Sequence, residues 1–216
     1  MTFSQQMARA FPQSNPLPSA LHQALQLLEA QGCLRTRRDG VRYMSLHPEA
    51  EFSAMATCAF YLPEPADSAL WTASDDPEVN QRLVIFLRTG GDGSWAGLWR
   101  DDAGQQRVVH LGSGSGSLLL GVLTDSAEDL LRLLAIGYAE LCWPEQFPLT
   151  PEEVREQDYE DDDYPPPPRL LREHVQQTLG LTVPPRAAEL VQSTESMDAE
   201  QSSDPFWNWL KQVRGD

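Results

Sequence analysis

Apolar residues fall at helical spacing early in the chain: Leu21, Leu25 and Leu28 stand at i, i+4 and i+7, with Ser19 placed as a cap and Gly32 placed for a left-handed terminator. The spacing predicts a helix of about three turns that buries one face. Residues 1–16 show no such period and read as a loose arm. Downstream the pattern shortens. "CLRTRRDGVRYMSL" predicts two short strands about the hairpin pair Asp39-Gly40, and "FSAMATCAFYL" predicts a further extended stretch that Pro63 ends.

The middle of the chain is the most regular part. "RLVIFLRT", "SWAGLWRD", "QRVVHLG" and "SLLLGVL" are four strand-like runs, separated by Gly-Asp-Gly, Asp-Asp-Ala-Gly and Gly-Ser-Gly-Ser turns. They predict an antiparallel sheet. Asp125 and Glu128 then form a capping box, and Leu130, Leu131, Leu133, Leu134 and Tyr138 predict a helix lying on one sheet face. Trp95 and Trp99 are four apart on one strand and share a face, which is either a wall of the core or an adhesive patch.

Beyond Trp143-Pro144 an acidic run leads into four prolines that stiffen the chain as an extended spacer. After them Leu170, Leu171, Val175 and Leu179 predict an amphipathic helix, and "DPFWNWLKQV" a last one whose Phe206, Trp209, Leu210 and Val213 share an apolar face that docks on the core.

Charge changes the picture more than composition does. The 216 residues carry 32 acidic against 16 basic side chains, a formal net charge of -16, with Lys211 the one lysine. Such a surface repels nucleic acid and anionic membrane and is steered toward basic partners. No run approaches the roughly 20 apolar residues of a membrane span, and the start lacks the layout of a signal peptide, so the chain reads as cytoplasmic. Cys33, Cys58 and Cys142 lack C-x-x-C spacing and read as buried free thiols.

Catalytic motifs are missing at the positions where they would be sought. In "HLGSGSGSLLLGVL" Gly116 is followed by Ser117 and Leu118, without the Lys and Ser/Thr of a phosphate-binding loop. Gly112, Gly114 and Gly116 also lack dinucleotide spacing and lead into a strand, so the stretch reads as a flexible turn. His22, His47, His110 and His174 are scattered and suggest no metal site. An enzyme would need a cleft gathering His110, Asp92 and Asp102. No catalytic residue, cofactor or metal is expected. Asp75-Asp76 and Asp101-Asp102 read as turn residues facing water.

The densest charge runs from Glu152 to Asp163. It is either a solvated, self-repelling loop or a docking surface for a basic partner. On the second reading the contact residues are Glu156, Asp158, Tyr159, Glu160, Asp161, Asp162, Asp163 and Tyr164, the tyrosines adding apolar anchorage to the steering that charge provides.

Over "LVIFLRTGGDGSWAGLWRDDAGQQRVVHLGSGSGSLLLGVLTDSAEDLLRLLAIGY" the chain resembles the SUKH superfamily of bacterial immunity proteins. The likeness lies in the order of a strand ending at Gly91-Asp92-Gly93, an aromatic strand with Trp95 and Trp99, the "HLGS" strand end, an apolar strand and a leucine-rich helix. The N-terminal helix and "FWNWL" are similar to that family's ends. Where relatives often carry an acid after "LGS", Gly114, Ser115 and Gly116 stand here. The resemblance implies an α+β fold, a twisted antiparallel sheet flanked by N- and C-terminal helices. The core domain would span 17–148, an acidic and proline-rich segment 149–168, and C-terminal helices 169–216. It further implies a non-catalytic protein, a monomer or weak homodimer, that occludes a basic cognate toxin. The alternative is a regulatory scaffold of the same fold that binds several endogenous partners.

Overall fold

Seven strands form one antiparallel meander in chain order in the computed structural model, which describes residues 1–51, 53–158, 164–191 and 194–215. They are β1 (Leu34–Thr36), β2 (Arg42–Ser45), β3 (Ala59–Tyr61), β4 (Leu83–Arg88), β5 (Trp95–Arg100), β6 (Gln106–Leu111) and β7 (Leu120–Thr124). Among the described residues no helix is long and apolar enough to cross a membrane.

Period-two alternation divides the sheet into two apolar faces. Val84, Phe86, Ala96, Leu98, Val108 and Leu123 face one cluster, and Leu83, Ile85, Trp99, Val109, Leu120 and Val122 face the other. The fold is therefore α+β with helices on both faces. The first cluster is closed by α1 (Phe3–Ala10), α2 (Ser19–Ala30), and, farther along the chain, α5 (Ala127–Ile136) and α7 (Arg169–Glu173), which runs into a π-helical turn at His174–Thr178. The second is closed by α8 (Pro205–Arg214), where Phe206 and Trp209 pack 5.5 and 5.6 Å from the ring of Trp99. Trp99 is thus core wall, while Trp95 on the same strand is half-buried against Tyr61.

Several local expectations are corrected. Residues 1–16 are no loose arm: Thr2 caps α1, Phe3 and Met7 are fully buried, and Glu29 of α2 accepts the amides of Phe3 and Ser4. The helix was hidden because only two of its apolar positions face inward. Ser19 is the first residue of α2 and makes no cap; the flanking residue is Pro18, whose carbonyl accepts His22 N–H. The capping pair of α5 is Ser126 with Asp129, one residue beyond Asp125 and Glu128, because Ser126 is the extended residue that ends the strand connection. Two helices lie where no period was visible, α3 (Pro65–Thr72) and α4 (Pro77–Asn80), the latter capped by Asp76.

The polyproline stretch is a strap on the core. Pro165 and Pro168 are buried, and Gly137, at φ +104°, lets Pro167 approach so closely that a Cβ there would sit 2.7 Å from its Cα. Upstream, Glu152 to Asp158 belong to α6 (Pro151–Asp158), whose first turn is closed by reciprocal bonds between Thr150 and Glu153 and whose Val154 is buried. One sheet edge is also closed. Residues 195–197 bond the start of β7, and Asp204 accepts the Val122 amide at 2.8 Å while capping α8 through Trp207 N–H. The other edge, β1, is three residues long and ends in exposed Arg37 and Arg38, the kind of charged short edge that resists further pairing.

Candidate partner-binding surface

The glycine-serine loop between β6 and β7 is built around an acid. Asp92, in the turn between β4 and β5, accepts the Ser94 amide at 2.9 Å and hydroxyl at 2.8 Å, the Ser113 hydroxyl at 2.8 Å and the Ser117 amide at 2.9 Å. Gly116 closes over it, where a Cβ would meet Asp92 Cβ at 2.8 Å. Partial burial pushes the Asp92 pKa up, but the Ser117 and Ser94 amides and the Ser113 and Ser94 hydroxyls outweigh it and hold it down at about 2. The turn is an ordered knot held by one carboxylate that reaches it from the neighbouring hairpin.

Behind the knot, His110 and Thr89 form a hydroxyl–imidazole pair at 2.9 Å. The spacing is that of a hydroxyl and an imidazole sharing a proton, and both residues are fully buried. Nδ1–H donates to the Leu119 carbonyl at 2.9 Å, so Nε2 accepts from Thr89, and burial lowers the imidazole pKa to about 4. His110 is a neutral tie between strands. Asp102 lies at the far end of β5 from Asp92, paired with Arg82 at 2.8 Å, so the three residues an enzyme would need are not gathered. Burial raises the thiol of Cys33 to about 11 and of Cys58 to about 12, leaving both protonated and unreactive. Among the described residues no group of three His, Cys, Asp or Glu could hold a metal ion.

The carboxylates themselves form two faces. One is α6, where Glu152 and Glu156 are exposed beside Arg155. Of the residues expected to contact a partner, Glu156 is exposed there and Asp158 ends the helix, whereas Tyr159, Glu160, Asp161, Asp162 and Asp163 lie outside the described residues. Tyr164 turns inward: it packs on the core and its hydroxyl accepts the Ala139 amide at 3.1 Å.

The second face was not read from the sequence. Exposed Glu64, Asp67, Asp75, Asp76 and Glu78 crowd α3, α4 and their approaches. The signal was an absence: no Lys or Arg occurs between Arg42 and Arg82. The two faces flank opposite sides of the sheet, since α3 packs beside α8 while Val154 of α6 joins the other cluster. Near α3 a cleft of about 560 Å³ is walled by Phe11, Pro12, Pro63, Pro65, Pro77 and Leu83. Comparison with family models, curated proteins and solved structures gave no match.

Proposed function

We propose that this protein is an immunity protein that binds a cognate antibacterial toxin, a secreted nuclease or other nucleic-acid-directed effector, and neutralises it by covering its active or substrate site. The observation that carries the reading is the pair of acidic faces. A protein that acts on nucleic acid needs a basic groove to hold phosphates, and a surface of fixed carboxylates competes for that groove and speeds encounter with it. The resemblance over the four central strands and α5 supports the same reading, with the protein working in the cytoplasm as a monomer or weak dimer.

The separation of the two faces favours a second reading, a scaffold that holds two or more partners at once. Affinity capture of the tagged protein from the cells that make it, washed at low and then moderate salt, distinguishes them. One retained basic protein supports neutralisation. Several proteins that leave together contradict it and support the scaffold.

A further inference from the structure

A cleft of about 360 Å³ lies between α3 and the Asp92 knot, lined by Asp67, Leu70, Trp71, Asp92, Trp95 and Ser113 among others. It has the volume of about a dozen waters, room for one extended side chain. We propose that this cleft receives a single lysine or arginine side chain of a basic protein partner, seated between the carboxylates of Asp67 and Asp92 and the rings of Trp71 and Trp95. The inference rests on the reading of the protein as a binder of a basic partner and adds the place and chemistry of one contact.

Asp67, Leu70 and Trp71 stand at i, i+3 and i+4 on α3 and so share one stripe of the helix. Leu70 is 78% exposed, an apolar side chain held in water beside two acids. That combination suits the aliphatic stem of a long cationic side chain, which packs its methylenes while its head reaches charge. The Asp67 carboxylate, exposed at the rim of the cleft, is partly desolvated by the groups around it, and this together with the nearby Glu64 charge pushes its pKa up. A cation there relieves an unfavourable charge. Asp92 cannot be neutralised at working pH, because its four donors hold the anion. No Lys or Arg lines the cleft. One of the rings already holds a cation on a face of its own: Arg214 of α8 stacks over Trp71 at 5.4 Å and donates to its carbonyl at 2.7 Å, while Trp95 packs edge-on against Tyr61.

The test uses the full-length protein labelled with nitrogen-15 and a hexa-arginine peptide as probe, with hexaglutamate as control, at low ionic strength. The slot predicts that amide shifts concentrate at 67–71 and 92–95 and at the indoles of Trp71 and Trp95. Asp67→Asn and Leu70→Ser, both at exposed positions, should each weaken binding about fivefold with the melting temperature unchanged, the scale of an exposed cation–π or screened ionic contact. Shifts centred elsewhere, with Asp67→Asn binding as the parent does, would overturn the slot and leave the basic-partner reading standing. A peptide that binds nowhere at low ionic strength would overturn the slot and count against that reading too.

Discussion

Asp92→Ala isolates the contribution of the knot between the two central hairpins. The substitution removes the acceptor of four hydrogen bonds, and two of the donors left behind, the amides of Ser94 and Ser117, belong to buried residues. Bonds to a charged group contribute about 1.5–3 kcal/mol each when water cannot replace them. The carboxylate is partly exposed, so only the two buried amides count near that scale, which puts the loss at about 3 kcal/mol. The depressed pKa gives a second route. A fall from 3.8 to about 2 corresponds to about 2 kcal/mol before screening and to about 1–2 kcal/mol after it. Together they predict a loss of about 2 kcal/mol, a drop in melting temperature of about 4–8 °C for a chain of this size. The folded-state pKa lies below the unfolded one, so this stability is complete above about pH 4 and is lost as pH falls toward 2. Urea unfolding followed by tryptophan fluorescence should therefore separate variant and parent at neutral pH and bring them together as the pH drops below 4. A difference under about 0.5 kcal/mol at neutral pH, the size of an ordinary surface substitution, would refute the knot's role.

Further expectations follow from other buried groups. Burial holds His110 neutral down to about pH 4, against 6.5 for the free side chain, so stability is full above 6.5 and declines as pH falls toward 4; burial lowers His47 and His174 in the same direction. The His110 share is about 3 kcal/mol, and the slope of urea midpoint against pH in that window should flatten in His110→Gln. Asp204→Ala loses the cap of α8 and leaves the Val122 amide of β7 unpaired, a cost of about 2–3 kcal/mol that calorimetry would register. Replacing Asp161, Asp162 and Asp163 together by Lys should weaken a basic partner by about tenfold or more at low salt, with the gap narrowing as salt screens it. Unchanged affinity in that variant would remove the acidic run from the interface.

The sheet was legible because its central strands are short apolar runs punctuated by glycine turns, and α2, α5, the α7 segment and α8 because their leucines and aromatics repeat at helical spacing. The helix α1 was not, since its period is carried by Phe3 and Met7 alone and its remaining stabilisation comes from Glu29, twenty-five residues or more away in sequence. The helices α3 and α4 were obscured by prolines that act as helix starters and by Leu70, whose exposure breaks the apolar pattern. For the site, the acidic run was visible as composition, but the inward turn of Tyr164 depends on the Ala139 amide and no local pattern announces it. The ordering of the glycine-serine loop by Asp92 was equally hidden, because donor and acceptor come from different hairpins and meet only once β4, β5, β6 and β7 are paired.

The central claim, that this protein neutralises a basic toxin by covering its substrate site, is tested most directly by growth. Cells induced to make the basic protein recovered by capture are plated with and without this protein co-expressed, alongside a charge-reversed variant carrying Lys at Asp67, Glu152 and Glu156. The account predicts arrest by the captured protein alone, full growth when the parent is co-expressed, and renewed arrest with the variant. Arrest that the parent does not relieve, or relief that the charge-reversed variant provides equally well, would contradict it.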